Sequence, residues 1–149
     1  MLSARGKYGL KAMIHLAEMQ GAGGIQGAVI AETQQIPKKF LDTILLELKN
    51  SGLVHSKKGK GGGYSLGRPA SEIRVGHIIR ILDGPLAPIA CASKTAYQRC
   101  DDCTDEKQCA VRTMMLEVRQ AISRVLDSRS LAEMRALTDT DELALMYQI

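Results

Sequence analysis

Long apolar segments are absent from this chain of 149 residues. No run of apolar residues approaches the roughly 20 that a membrane-spanning helix needs. The first eight residues include Arg5 and Lys7 and lack the continuous apolar core of a signal peptide. Low-complexity tracts and internal repeats are missing as well. The sequence therefore predicts a cytoplasmic protein that does not associate with membranes.

Signatures of catalysis are also absent. The chain has no tryptophan, one phenylalanine and four tyrosines, and no nucleophile is paired with a base. Gly59-Lys60 does not belong to a Walker-type phosphate loop, because such a loop needs Ser or Thr after the lysine and Gly61 follows here. These absences argue against an enzyme, and leave a nucleic-acid-binding protein, an electron carrier or a structural interaction module.

The charge of the chain is unevenly distributed. Hydrophobic residues make up 45% and charged residues 24%, which is ordinary for a globular protein large enough to bury a core without disulfides. Residues 1–90 contain 12 Lys and Arg against 6 Asp and Glu, whereas residues 91–149 contain 8 against 10. The basic first part predicts contact with a polyanion.

The hydrophobic pattern predicts a mostly α-helical fold, a winged helix-turn-helix with a three-helix core and a β-hairpin wing, followed by a long helix. The third helix is expected from Pro37 to about Ser51. Its apolar stripe comprises Phe40, Leu41, Ile44, Leu45 and Leu48. The predicted helices cover residues 5–20, 28–33, 37–51, 75–82, 106–127 and 131–137, and the predicted strands cover residues 53–56 and 64–66.

Two basic clusters fall where a winged helix touches DNA. The third helix begins with Lys38 and Lys39, and Asp42 and Thr43 follow one turn later. The first turn of such a helix enters the major groove, where lysines meet phosphates or guanine and a carboxylate can accept from cytosine. The wing turn carries three further cations that could contact the DNA backbone or the minor groove, namely Lys57, Lys58 and Lys60. The sequence therefore predicts binding of double-stranded DNA.

All four cysteines lie within 19 residues, with the spacing Cys91-x8-Cys100-x2-Cys103-x5-Cys109. Clustered thiols in a cytosolic protein indicate metal or redox chemistry. Four thiolates could bind zinc or an iron–sulfur cluster, and the wide outer gaps favour a cluster held in an open loop. Zinc, a thiol–disulfide switch and thiols without a ligand stay open as alternatives at this point.

Several segments together resemble the Rrf-two (Rrf2) family of bacterial winged-helix regulators. The resemblance extends over about residues 1–137. It rests on Lys7-Tyr8-Gly9-Leu10-Lys11-Ala12 in the first helix, on Phe40-Leu41 in the third helix and on Arg68-Pro69 after the wing. Its most specific part is the wing sequence Ser56-Lys57-Lys58-Gly59-Lys60-Gly61-Gly62-Gly63-Tyr64-Ser65-Leu66.

The resemblance implies a homodimeric transcriptional regulator, acting as a repressor on a palindromic operator, whose long helix crosses that of its partner. Cluster-binding members of the family use three loop cysteines and a fourth ligand that varies. Arg112 occupies the position of a histidine ligand found in some members, and no acidic ligand is evident near Lys7 and Tyr8. All-cysteine ligation of a [2Fe–2S] or [4Fe–4S] cluster, sensing iron, redox state or nitric oxide, is therefore expected.

The alternative within the same fold is a cofactor-free or zinc-bound regulator that responds by thiol chemistry, to a small molecule or to a partner protein. The expected domain organisation has four parts. These are a DNA-binding domain over residues 1–84, a cysteine-bearing sensor loop over residues 85–110, a dimerisation helix with a final helical segment over residues 106–137, and a tail over residues 138–149.

Overall fold

The computed structural model describes residues 2–138. Within this range the chain forms six α-helices and one two-stranded antiparallel sheet. The elements are α1 (Ala4–Glu18), α2 (Gly27–Gln34), α3 (Lys38–Asn50), β1 (Val54–Lys57), β2 (Gly63–Leu66), α4 (Val75–Asp83), α5 (Ala110–Ser128) and α6 (Leu131–Ala136). Short 3-10 turns occupy Ala70–Glu72, Ala90–Ala92 and Glu106–Gln108.

The core lies where α1 packs against α3 and α4. Its largest side chains are at most 2% exposed and include Met13, Leu16, Ile44, Leu45 and Ile78. Burial of each such side chain contributes about 1.5–3 kcal/mol relative to leaving it in water. The first helix is capped by Ser3, whose hydroxyl oxygen accepts from the Gly6 N–H at 3.0 Å.

The apolar stripe of α3 is buried at four of its five predicted positions. Leu41, Ile44, Leu45 and Leu48 are completely buried, whereas Phe40 is 52% exposed. The prediction for Phe40 was wrong because the buried positions follow the spacing i, i+3, i+4, i+7 from Leu41, and Phe40 lies about 100° around the helix from Leu41. The Phe40 ring lies 6.2 Å from the Tyr8 ring on the surface.

A tight turn joins α2 to α3. Gln35 adopts a left-handed backbone conformation with φ of 53°, and the Ile36 N–H returns to the Ala31 carbonyl at 2.9 Å. Pro37, predicted as the first residue of the third helix, is its N-cap with φ of −56°. The connection therefore fixes the angle at which α3 leaves α2.

The hairpin formed by β1 and β2 pairs Val54 with Leu66 and Lys57 with Gly63. Near its turn the hairpin is attached to the segment before α2, because Ile25 and Tyr64 exchange two backbone hydrogen bonds of 2.7 and 2.8 Å. Gly63 has φ of 128°, and a Cβ there would lie 2.6 Å from the Ile25 backbone. The glycines thus permit the close approach that holds the wing against the helical core.

The long helix α5 begins at Ala110 and not at about residue 106 as predicted. The reason is a cap, since the Cys109 sulfur accepts from the Arg112 N–H at 3.4 Å and Glu106–Gln108 form a separate 3-10 turn. After α5 the chain returns to the core, where α6 buries Leu131 completely. An ion pair between Arg80 on α4 and Asp127 on α5 joins the two helices.

Helices around a β-hairpin in this order form a winged helix-turn-helix followed by a long helix, as the sequence predicts. None of the helices described within residues 2–138 is both long enough and apolar enough to cross a membrane.

Candidate DNA-binding surface and cysteine segment

The first turn of α3 carries the four predicted contact residues on the surface. Lys38, Lys39, Asp42 and Thr43 are all exposed. The Lys38 ammonium and the Asp42 carboxylate form an i, i+4 ion pair at 2.5 Å, and both side chains are about half exposed. The Thr43 hydroxyl donates to the Phe40 carbonyl at 2.9 Å. Lys39 has no ion pair within residues 2–138, so its charge is directly available to a phosphate.

Asp42 can contact a base only if its pair with Lys38 opens or is shared. An exposed pair of this kind contributes only about 0.3–0.5 kcal/mol in a helix. The structure is therefore compatible with exchange of Lys38 from Asp42 to a phosphate when DNA binds, after which Asp42 is free to accept from a cytosine amino group.

The wing strand β2 and the start of α3 both lie against the start of α2. Lys57, Lys58 and Lys60 are exposed. A Cβ placed on Gly27 would lie 3.4 Å from the Tyr64 ring of β2 and 3.6 Å from the Lys38 ammonium. The first turn of α2 therefore lies between the wing strand β2 and the Lys38 side chain of α3.

The start of α2 is a part of this surface that the sequence analysis did not single out. Gln26 at its N-cap makes no side-chain capping bond, and its amide donates instead to the Gly62 carbonyl in the wing at 3.1 Å. The first N–H groups of α2 are therefore free of a side-chain cap, and free amides at a helix N-terminus favour phosphate. Only the order Gln26-Gly27 before a short helix could have signalled this.

The four cysteines fall into different environments. Cys91 is buried, Cys100 is exposed, and Cys103 and Cys109 are half-buried. The Cys100 thiol donates to the Cys91 sulfur at 3.9 Å. The Cys103 backbone N–H donates a hydrogen bond to the Cys100 carbonyl at 3.2 Å, which keeps these two residues close together. The structure thus brings Cys91 and Cys100 into contact directly.

Arg112 connects the buried cysteine to the start of α5. Its guanidinium Nε donates to the Cys91 carbonyl at 3.1 Å, while its backbone N–H donates to the Cys109 sulfur. Arg112 is the residue at the position where the family resemblance places a histidine ligand. Here it acts as a hydrogen-bond donor that holds two cysteine-bearing segments next to each other.

The pKa of the Cys100 thiol is raised above its ordinary value. The hydrogen bond to Cys91 is the largest cause, followed by the charge of Cys91 and then by partial desolvation and the charge of Asp102. Each of these favours the protonated form. Without a metal ion, Cys100 therefore stays a thiol at neutral pH.

The donor chemistry of this segment suits a soft metal ion or a cluster. Two sulfurs that share one tetrahedral metal ion lie about 3.8 Å apart when each metal–sulfur bond is about 2.3 Å, and the Cys91–Cys100 distance of 3.9 Å is close to that value. Within residues 2–138 no three His, Cys, Asp or Glu side chains converge as a metal site. Cys103 and Cys109 must therefore move toward the pair for four sulfurs to share one group.

A family model described as "Rrf2: Iron-dependent Transcriptional regulator" matches residues 2–136. The chain belongs to the Rrf2 family. The HTH-type transcriptional regulator CymR of Bacillus subtilis is 34% identical over 148 residues, or 99% of each chain. Its solved structure, described as that of a global cysteine regulator, has a TM-score of 0.76 and covers 92% of this chain and 97% of that one.

Other Rrf2 relatives agree with this assignment. IscR of Serratia proteamaculans is 33% identical over 133 residues, which is 89% of this chain and 77% of IscR. An oxidized form of CymR from Staphylococcus aureus is 32% identical with a TM-score of 0.69, and covers 91% of this chain and 95% of that one. These relatives confirm the predicted family and show a DNA-binding transcriptional regulator of winged-helix type rather than an enzyme.

Proposed function

We propose that this Rrf2 regulator binds a palindromic operator as a homodimer, with the first turn of α3 in the major groove and the wing along the backbone. The observation that carries the proposal is the position of Gly27, which lies next to both Lys38 and the wing strand. Lys39, Lys57, Lys58 and Lys60 then contact phosphates, and Asp42 and Thr43 face the base edges. Occupation of the operator represses transcription in the cytoplasm.

The exposed apolar face of α5 supports the dimer. Val111, Met114 and Val125 are 62%, 54% and 59% exposed, although the sequence repeats them at the spacing of a buried helix face. Contiguous exposed apolar surface of this kind marks an interface with another protein. The same face on a second copy is the natural occupant, because a two-fold symmetric contact matches a palindromic operator. In this arrangement residues 1–84 bind DNA and residues 106–137 hold the dimer.

For the sensor segment, residues 85–110, we propose all-cysteine ligation of an iron–sulfur cluster by Cys91, Cys100, Cys103 and Cys109. When bound, the cluster supplies a group whose redox state and integrity respond to iron, oxidants or nitric oxide. The Cys91–Cys100 contact supports a shared site, and Arg112 joins that site to the start of α5. Ordering of the segment by the cluster then changes the spacing of the two DNA-binding units. The free energy that couples cluster binding to DNA binding is typically about 1–3 kcal/mol, which corresponds to a 5–150-fold change in DNA affinity.

A second mechanism rests on the same 3.9 Å contact. The two thiols of Cys91 and Cys100 can lose two protons and two electrons to a disulfide or hydroperoxide oxidant and form a disulfide, which requires the sulfurs to approach to about 2.05 Å. A zinc ion held by the same thiolates would keep them reduced. Either version gives a regulator of the same fold that responds by thiol chemistry.

The experiment that separates these mechanisms is purification without oxygen, followed by measurement of iron, sulfide and zinc and a visible spectrum. The cluster mechanism predicts iron and sulfide together, and their loss in Cys91→Ala and Cys109→Ala. Retention of the cluster in both variants would contradict the ligand assignment. A colourless protein whose Cys91 and Cys100 become linked on mild oxidation, as measured by peptide mass spectrometry, would favour the disulfide mechanism instead.

DNA binding is tested separately by selecting duplexes from a random pool with the full-length protein. The proposal predicts recovery of sequences with inverted half-sites, bound less tightly as salt rises because phosphate neutralisation releases counterions. Recovery of no duplex under any of the metal-bound, metal-free and oxidised conditions would contradict it.

A further inference from the structure

An open cavity with charged and apolar lining residues lies on the side of α5 that faces α4. It has a volume of about 380 Å³ and is formed by α4, the loop after α4, the segment that follows Cys91, and α5. A cavity of this size is in the range of small-molecule sites, about 300–1,000 Å³. Neither DNA contact nor cysteine ligation uses it.

The cavity contains a buried arginine without an anionic partner. Arg119 is 7% exposed and is the one buried residue of α5 within the described part of the chain. Its Nε is buried with no hydrogen-bond partner, and none of the ion pairs formed among residues 2–138 includes it. Arginines this buried normally have an anionic partner, so an anion that reaches this guanidinium is expected to stabilise the folded protein.

The carboxylate in the same cavity is already occupied. Asp127 accepts two hydrogen bonds from the Arg80 guanidinium at 2.6 and 2.8 Å, a bidentate pair that uses both of its oxygens. Lys94 adds a further cation to the lining. The lining therefore has three cations, from Arg80, Lys94 and Arg119, and one carboxylate, and its net charge of +2 favours an anionic ligand.

The rest of the lining consists of hydroxyl groups and of the apolar residues Pro85, Leu86 and Ala87. Ser93, Thr95 and Ser123 lie in the cavity wall, and the Ser93 oxygen already accepts from the Ala96 N–H at 2.9 Å, which leaves its O–H to donate. Arginine and hydroxyl donors around one cavity are the groups that recognise the oxygens of a carboxylate or phosphate.

The cavity is separate from the proposed dimer face. Arg119, Ser123 and Asp127 repeat every four residues along one side of α5, whereas Met114 and Val125 lie on the opposite side, about 120–180° away at 100° per residue. A dimer through the apolar face therefore leaves the cavity accessible from the side of each protomer.

We propose that this cavity binds a small molecule that carries a carboxylate or a phosphate, with Arg119 as the anion-binding residue. The ligand would contact both α4 of the DNA-binding domain and the segment that carries Cys91, so its presence would affect the relative position of the two. The proposal goes beyond the DNA-binding and sensor functions and depends on neither of them.

The test measures thermal unfolding of the full-length protein while sodium succinate or sodium phosphate is added, against sodium chloride at equal ionic strength. We expect at least one of the two anions to raise the melting temperature more than chloride does. Because such salts also stabilise proteins by exclusion from their surface, only a rise that Arg119→Gln loses counts. Such a rise with succinate alone assigns a carboxylate ligand, with phosphate alone a phosphate ligand, and with both the shared chemistry, whereas a rise that Arg119→Gln keeps in full would overturn the proposal. No difference from chloride with either anion would overturn the proposal.

Variants identify the residue responsible. Arg119→Gln should weaken binding of the active anion by about tenfold or more, as expected for loss of a charge-assisted pair, whereas Arg124→Gln on the exposed side of α5 should bind as the original protein does. Ser123→Asp places a carboxylate one turn from Arg119, so it should abolish the response to added anion without lowering the melting temperature. Undiminished anion binding by folded Arg119→Gln or by folded Ser123→Asp would overturn the proposed site. If Arg119→Gln does not fold, Ser123→Asp alone tests the proposal.

Discussion

Replacement of Gly63 by alanine tests how the wing is held against the helical core. Gly63 has φ of 128°, and a Cβ there would meet the Ile25 backbone at 2.6 Å. Backbone strain at such a position costs about 1–3 kcal/mol. Displacement of Ile25 also removes its two hydrogen bonds with Tyr64, each worth about 0.5–1.5 kcal/mol net. The free energy of unfolding should therefore fall by about 2–6 kcal/mol.

Gly61→Ala is the matched control, because Gly61 also has a positive φ, 77°, but no atom lies within 4 Å of its Cβ position. An alanine at position 61 is strained by about 1–2 kcal/mol. This loss of stability is partly offset by about 0.4–1 kcal/mol, because alanine makes the unfolded chain less flexible than glycine does. Urea unfolding gives both free energies, and titration with operator DNA gives both affinities.

The Gly63 variant should also bind DNA more weakly than the Gly61 variant, because the displaced strand carries the wing away from the start of α3. Equal loss of stability in the two variants, or loss of stability in Gly63→Ala with unchanged DNA affinity, would refute the claim that contact with Ile25 positions the wing.

Two further predictions concern α5. Met114→Asp should convert a dimer to monomers in analytical ultracentrifugation, because it places a charge in the exposed apolar face. Gln120→Asp, on another side of the helix, should leave the dimer intact. A Met114→Asp variant that stays dimeric would exclude this interface. Asp127→Asn should lower stability by about 1 kcal/mol, a value reduced by the partial exposure of both partners. Since Arg80 lowers the pKa of Asp127, the paired carboxylate contributes fully above the pKa of an unfolded aspartate, about 3.9, and its contribution is lost as pH falls through the lower pKa of the folded state. The difference in melting temperature between the two proteins should shrink over that acidic range, and a difference independent of pH would contradict the pair.

The order of elements could be predicted from sequence because each has a local signal. Pro37 and the leucine spacing mark α3, and the glycines of residues 59–63 mark the wing turn. The start of α5 could not be placed, because Glu106-Lys107-Gln108 are all compatible with a helix and only the Cys109 cap sets the boundary. Phe40 was misassigned because one residue shifts a side chain by 100° around a helix.

The candidate sites were predictable to different degrees. The lysines of α3 and the wing are recognisable because charge and glycine mark them in the sequence. The contact between Cys91 and Cys100 across nine positions depends on how the segment folds over α5, and spacing alone favoured no particular pair. Arg119 gave no signal at all, because periodicity identifies buried apolar residues and treats an arginine as surface. Burial of a charged side chain is a tertiary property that only the packed structure reveals.

The central claim is that exposed lysines of α3 and the wing bind the DNA backbone, and the salt dependence of operator affinity tests it most directly. Each phosphate contact contributes about 0.9 to the slope of log affinity against log salt. Lys58→Ala removes one contact from each wing of a dimer, so the slope should fall by about 1.8. Lys49→Ala, at the far end of α3, should leave the slope unchanged. A slope that is the same for Lys58→Ala and the original protein would contradict the account.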